Sequence, residues 1–165
     1  MKQRPGFENM VRAYAAELFR YAYWICRDRA VAEDLVQETF ARAWESWNTL
    51  RDDKAARGWL YTILRNERAR LFERKRFDIV DDIDPDDIVA PQLTGQDDRI
   101  DLRAALEKLP SGYREPLLLQ VLGGFSCAEI AVMLKTSEGA IMTRLTRARI
   151  ALRQPDHMSH RRKSG

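Results

Sequence analysis

At 165 residues the chain has room for one ordinary domain or two small ones, each near the lower size at which an apolar core sustains itself. Its 45% hydrophobic content is that of a globular protein, and Cys26 and Cys127, far apart and alone, give neither a disulfide framework nor a C-x-x-C metal signature. The net charge of +3 conceals an uneven distribution, with six basic and two acidic residues over 61–76 but nine Asp and a single Arg over 78–101.

From Phe7 to Cys26, Val11, Tyr14, Leu18, Tyr21 or Ala22, and Ile25 recur at helical spacing, which predicts a first amphipathic helix. Asp28 and Arg29 interrupt it. A second helix is expected from about Ala30 to Ser46, with Val36, Phe40, Ala43, Trp44 and Trp47 on one stripe. Its other face, carrying Glu33, Asp34, Gln37, Glu38 and Arg42, is acid-rich near the start, where carboxylates also suit the helix dipole. That face reads equally as a solvated surface or as a dock for a basic partner.

Residues 45–56 have loop composition, with Asp52 or Asp53 placed to cap a third helix from about Lys54 to Arg76. Leu60, Ile63, Leu64, Glu67 and Leu71 form one stripe of that helix, and Arg57, Tyr61, Arg65, Arg68, Phe72 and Lys75 form a second. Guanidinium groups hold phosphates and aromatic rings stack on unpaired bases, so the second stripe suits partly melted or single-stranded nucleic acid. Trp59 reads either as core or as support for a displaced base.

The stretch 77–97, rich in Asp and broken by Pro85, Pro91 and Gly95, reads as an acidic linker. A fourth helix is expected from Asp98 to Leu109, with Ile100, Leu102, Leu106 and Leu109 for packing. Ser111 is placed to cap a fifth that ends at Gly123-Gly124, and Pro116 within it predicts a 3-10 turn or slight kink.

Phe125 to Arg149 carries the punctuation of two short helices joined by a tight turn. Ser126 with Glu129 forms an S-x-x-E capping box, and Ile130, Ala131 and Leu134 share a face. The pattern breaks at Lys135-Thr136-Ser137, where Ser137 is placed to cap the next helix. There Ile141, Leu145, Ala148 and Leu152 form the packing stripe, leaving Thr143, Arg144, Thr146, Arg147 and Arg149 on other faces. A capped helix, a three-residue turn and a basic second helix describe a helix-turn-helix, whose bland counterpart is an ordinary helical hairpin. The segment 154–165, with both histidines, is expected as a disordered tail. The expected fold is therefore all-α, with two small helical domains, 1–76 and 98–153.

No catalytic constellation is visible: the histidines lie in the tail, no phosphate-cradling glycine loop appears, and the carboxylates cluster in the linker. An enzyme is not expected, nor a cofactor or a metal. The cysteines are expected as buried small hydrophobes. The start MKQRPGFENM lacks a hydrophobic signal core and no apolar run approaches the roughly 20 residues that span a bilayer, so a cytoplasmic protein is expected.

Three blocks in order, AEDLVQETFARAWESW at 32–47, RGWLYTILRNERARLFERKR at 57–76 and LPSGYREPLLLQVLGGFSCAEIAVMLKTSEGAIMTRLTRAR at 109–149, resemble the extracytoplasmic-function sigma factors of bacterial RNA polymerase. The resemblance runs from about 7 to 153. It implies a first domain that docks on core polymerase through Asp34, Leu35, Gln37 and Glu38. It points to the loop 48–56 for a flipped base, and to Asn48, Trp59, Tyr61, Arg65, Asn66 and Arg68 for the minus-ten promoter element. It implies a second domain that reads the minus-thirty-five element through Ser137, Glu138, Thr143, Arg144, Arg147 and Arg149, and an anti-sigma factor that hides both faces. Met142 stands where the family often has a cation, which either removes a phosphate contact or substitutes an apolar contact to a thymine methyl. Cys127 stands where an aromatic is common, and Glu67 and Phe72 alter the helix that melts DNA. The alternative kept beside this is a stand-alone helix-turn-helix regulator, for which a dimer and a palindromic site are expected.

Overall fold

A computed structural model describes residues 4–78 and 98–153, which fall into two compact units. The first holds α1 (Arg4–Cys26), α2 (Arg29–Glu45) and α3 (Ala56–Asp78); the second holds α4 (Asp98–Lys108), α5 (Ser111–Val121), α6 (Cys127–Met133) and α7 (Glu138–Arg153). Among the described residues there is no strand. Residues 77 and 78, expected in the linker, continue α3, while 79–97 and 154–165, the rest of the linker and the tail, lie outside the described residues.

In the first unit α1 turns into α2 within two residues. Arg27 takes a left-handed φ of 58°, and the Asp28 carboxylate accepts from the Val31 N–H at 3.1 Å, satisfying one of the amides that a helix start leaves unpaired. Leu18, Tyr21, Ala22 and Ile25 of α1, Ala32, Leu35, Val36 and Ala43 of α2, and Leu60, Tyr61 and Leu64 of α3 are buried together as one three-helix core. Thr39 is buried as well, its hydroxyl donating to the Leu35 carbonyl at 2.7 Å. Trp44, expected among the packing residues, is half exposed, at 50%. It lies a step around the helix from Ala43, outside the buried arc, and rests edge-on against Phe7, with ring centroids 5.0 Å apart. Trp47 is buried in the 3-10 turn Trp47–Thr49 that follows α2.

Two charged contacts fix α3 from behind. On one flank a single Glu17 oxygen of α1 accepts from Arg57 Nε at 2.7 Å, from the Arg57 Nη2, and from the Tyr61 hydroxyl at 3.0 Å. On the other flank the buried Glu67 carboxylate lies 3.3 Å from Arg42 Nε of α2 and 3.1 Å from Arg70 Nη1 of its own helix. An unpaired carboxylate would be costly at that depth; the two guanidiniums allow it. Burial and the facing Glu17 together drive the Tyr61 hydroxyl far above the ordinary tyrosine range, so it stays protonated.

In the second unit α5 is a continuous α-helix through the buried Pro116, without the expected 3-10 turn. The helix also starts one residue earlier than Ser111 as a cap would allow. The Pro110 carbonyl accepts from Tyr113 N–H at 2.9 Å and Arg114 N–H at 3.0 Å, which makes Pro110 the cap and Ser111 the first helical residue. Arg114 then reaches back across the joint, donating to the carbonyls of Leu106, Glu107 and Leu109 at 2.8, 2.9 and 2.7 Å, and so satisfies the free end of α4. Ile100 and Leu102 have no described side chains, but Leu106 and Leu109 are buried as expected.

Beyond α5, Gly124 has φ 67°, and a Cβ on Gly123 would meet the Phe125 ring at 2.6 Å, so both glycines are required where they stand. The Ser126/Glu129 capping box is formed in both directions, each hydrogen bond 3.1 Å long. At the end of α6, Lys135 adopts φ 54° while Thr136 N–H bonds the Ala131 carbonyl at 3.0 Å and Lys135 N–H bonds that of Val132 at 3.3 Å. This is a Schellman closure with a lysine in the position glycine usually takes. Ser137 then accepts from Ala140 N–H at 3.1 Å and α7 begins. Ile141, Leu145 and Ala148 are buried against α5 and α6. Cys26 and Cys127, expected as buried, are both half-buried thiols.

Candidate functional site

On α2 the acidic side chains Glu33, Asp34 and Glu38, with Gln37, are exposed, and Glu38 lies 3.3 Å from Arg42. Leu35, named with them as a docking residue, is not on that face. It is 3% exposed, because a residue one position after Asp34 turns by about 100° around the helix and here lands in the core. Its contribution is to hold the helix that presents Asp34, Gln37 and Glu38.

The candidate single-strand surface on α3 also divides. Asn66 is exposed and Arg65 and Arg68 are half-buried, all three within two turns. The Arg68 guanidinium lies 4.9 Å from the Phe72 ring centroid, a cation–π pair that keeps charge and aromatic surface together. Trp59 is half-buried beside Trp47, with ring centroids 6.5 Å apart and planes tilted by 47°. Tyr61 leaves the set: it is fully buried, its ring packs at 5.1 Å against Tyr21 and its hydroxyl is held by Glu17. Arg57 of the same stripe is likewise turned to Glu17. Sequence periodicity put these two with Arg65 and Arg68, but the carboxylate that recruits them stands 40 and 44 residues away. The Lys75 side chain lies outside the described residues.

Asn48 is exposed in the 3-10 turn after α2, and Arg51 and Lys54 are exposed in the same loop. Both cations lie within the loop 48–56 expected to meet a flipped base, although only Asn48 was singled out there. Asp52 accepts from Lys54 N–H at 2.9 Å and shapes the approach to α3. The loop thus offers an amide side chain and two cations next to the Trp59 end of the helix.

In the second unit Ser137, Glu138, Thr143, Arg147 and Arg149 are exposed and Arg144 is half-buried. They do not share one line. Thr143 and Arg147 lie opposite the buried stripe, whereas Arg144 and Arg149 flank it on its two sides. Arg149 donates to the Gln120 side-chain oxygen of α5, and the Ser137 hydroxyl is engaged as a cap. A helix with four arginines, Arg144, Arg147, Arg149 and Arg153, and one acid, Glu138, presented over a capped shorter helix has the charge and width to enter a major groove.

Among the described residues no group of three or more metal-binding side chains gathers, and no helix is long and apolar enough to cross a membrane.

Residues 10–77 match the family model of Sigma-70 region 2, and residues 99–152 match that of Sigma-70 region 4. The chain is 35% identical over 146 residues to the ECF RNA polymerase sigma factor SigL of Mycobacterium tuberculosis, covering 85% of this chain and 82% of that protein. It is 34% identical over 148 residues to the ECF RNA polymerase sigma factor EcfG of Rhodopseudomonas palustris, covering 86% and 76%. Among solved structures it is similar to the sigma factor RpoE of Bartonella quintana, crystallised with the anti-sigma factor NepR. That match has a TM-score of 0.73 and 29% identity over 90% of this chain and 95% of that one. CnrH, solved in complex with the cytosolic domain of CnrY, matches with a TM-score of 0.67 and 25% identity over 91% and 86%. With both regions matched in order along one chain, and relatives of this identity over most of their length, the protein belongs to the ECF sigma factors of RNA polymerase.

Proposed function

We propose that this protein binds core RNA polymerase in the cytoplasm and directs it to promoters with a minus-ten and a minus-thirty-five element, without bond-making chemistry of its own. The observation that carries the reading is the order of two regions on one chain: a unit with an acidic helix face and a basic-aromatic helix, then a helix-turn-helix with a basic second helix. A stand-alone regulator would use the second and have no task for the first.

The role of each residue follows from its chemistry. Asp34, Gln37 and Glu38 form the polymerase-facing surface of α2, suited to a basic partner, with Leu35 holding them from inside. Asn48 in its loop, with Trp59, Arg65, Asn66 and Arg68 on α3, receives the opened minus-ten strand: the guanidiniums take phosphates and the aromatic surfaces support bases. Glu138, Thr143, Arg144 and Arg147 contact the minus-thirty-five duplex, with Arg149 and the Ser137 cap at the edge of that contact. An anti-sigma factor completes the set of partners, as the Bartonella RpoE complex with NepR suggests by similarity.

The test is reconstitution. Purified protein alone is expected to bind promoter duplex weakly, and adding core polymerase is expected to give sequence-specific binding and new transcript starts from a genomic template library. Tight binding to a palindrome without polymerase, with no change in start sites, would overturn the reading.

A further inference from the structure

The outward face of α7 is not the uniform basic surface that four arginines suggest. Met142 is 55% exposed and Ile150 is 52% exposed, and Thr146, also exposed, stands between them. Spaced four residues apart, the three form one stripe along the helix, roughly 12 Å from end to end. Thr146 donates its hydroxyl proton to the Met142 carbonyl at 2.9 Å, so it has no donor left for a ligand and offers its methyl and lone pairs. The stripe is framed by Arg149 and Arg153 on one side and by Thr143 and Arg147 on the other. Gly139, one turn before Thr143 on this face, has open space where a Cβ would stand, so nothing within the protein requires a glycine there. A glycine within a helix is less stabilising than alanine, and here it leaves the entry to the stripe clear.

An apolar stripe inside a frame of cations asks for a ligand that is anionic at its edges and apolar at its centre. In the major groove one base carries an exposed apolar group, thymine, through its C5 methyl. We propose that Met142, Thr146 and Ile150 read thymine methyls in the upstream promoter element, so that a thymine preference at the positions beneath the stripe is set by apolar contact. The inference rests on the reading of α7 as the duplex-reading helix. It also gives Met142, an exposed uncharged side chain among the arginines of α7, a base to contact.

The experiment uses the full chain with core polymerase on a promoter selected by that holoenzyme from a library. Each thymine of the upstream element is replaced in turn by deoxyuridine, which removes only the methyl. At one or more positions the wild type is expected to lose about fourfold in affinity per methyl, the equivalent of leaving one methyl-sized group unburied. With Met142→Ala the deoxyuridine penalty at the matching position is expected to vanish, and with Met142→Leu to persist. Met142→Lys is expected to abolish it while steepening the salt dependence by about one counterion. A selected element without a preferred thymine overturns the proposal, as does a deoxyuridine penalty that is absent or identical in wild type and Met142→Ala. Arg147→Ala separates the two levels. If it weakens upstream binding while no deoxyuridine matters, methyl reading alone falls; if it too has no effect, the assignment of α7 to the duplex falls as well.

Discussion

Replacing Glu17 by alanine tests whether α3 is held as the structure describes. One carboxylate oxygen there accepts from Arg57 at 2.7 Å and from the buried Tyr61 hydroxyl at 3.0 Å. A hydrogen bond to a charged acceptor contributes about 1.5–3 kcal/mol, and the Arg57 pair, with that side chain 41% exposed, adds at most ~1 kcal/mol after solvent screening. The expected loss is therefore about 2–3 kcal/mol, which for a unit of this size lowers the melting temperature by roughly 10–20 °C. All four tryptophans, Trp24, Trp44, Trp47 and Trp59, lie in the first unit, so indole fluorescence follows its unfolding without signal from the second. Glu17→Ala combined with Tyr61→Phe is expected to show a coupling of about 1 kcal/mol or more. A loss under about 0.5 kcal/mol, or additive single effects, would refute the claim that this carboxylate pins α3.

Tyr61 also sets a pH limit. Its hydroxyl ionises only far above the ordinary value of 10.0, chiefly because it is buried, so its stabilisation is complete below pH 10 and declines as the unfolded chain ionises above it. The alkaline slope of first-unit stability, up to about 1.4 kcal/mol per pH unit from this group, is expected to flatten in Tyr61→Phe, as urea titrations between pH 9 and 11 will show. Arg114→Ala removes three donors from the end of α4 and is expected to cost the second unit about 1–3 kcal/mol, read by hydrogen exchange of α4 amides. Leu35→Ala is expected to destabilise the first unit by about 2–5 kcal/mol, whereas Asp34→Lys leaves stability within about 0.5 kcal/mol and weakens polymerase binding. Melts and binding isotherms on the same two variants separate packing from docking.

Features decided within a turn or two of helix were legible in the sequence. The Ser126/Glu129 box, the Ser137 cap and the packing stripe of α7 are local patterns, and each is formed. Glu67 was legible as a member of the inward stripe of α3, though not the Arg42 and Arg70 that neutralise it there. What escaped depended on remote partners. Tyr61 and Arg57 share the period of Arg65 and Arg68 and differ from them only through Glu17 on another helix. Trp44 was placed on the packing stripe of α2 by helical spacing, but it stands just outside the buried arc, where Phe7 near the start of the unit meets it edge-on. Ser111 yielded its capping role to Pro110, whose fixed φ suits a helix entrance. On α7, Met142 was legible as an apolar contact, but its alignment with Thr146 and Ile150 was hidden behind a list of arginines.

The buried Glu67, clasped by one arginine from α2 and one from its own helix, means that the rotation of α3 is registered on its inner side. Turning the helix would strand a carboxylate in the interior, a change the unit resists whatever stands on the outer surface. Residues such as Asn66 can then drift by mutation without loosening the scaffold. Under the proposed minus-ten reading, new target sequences would then arise on that surface while the frame is inherited unchanged.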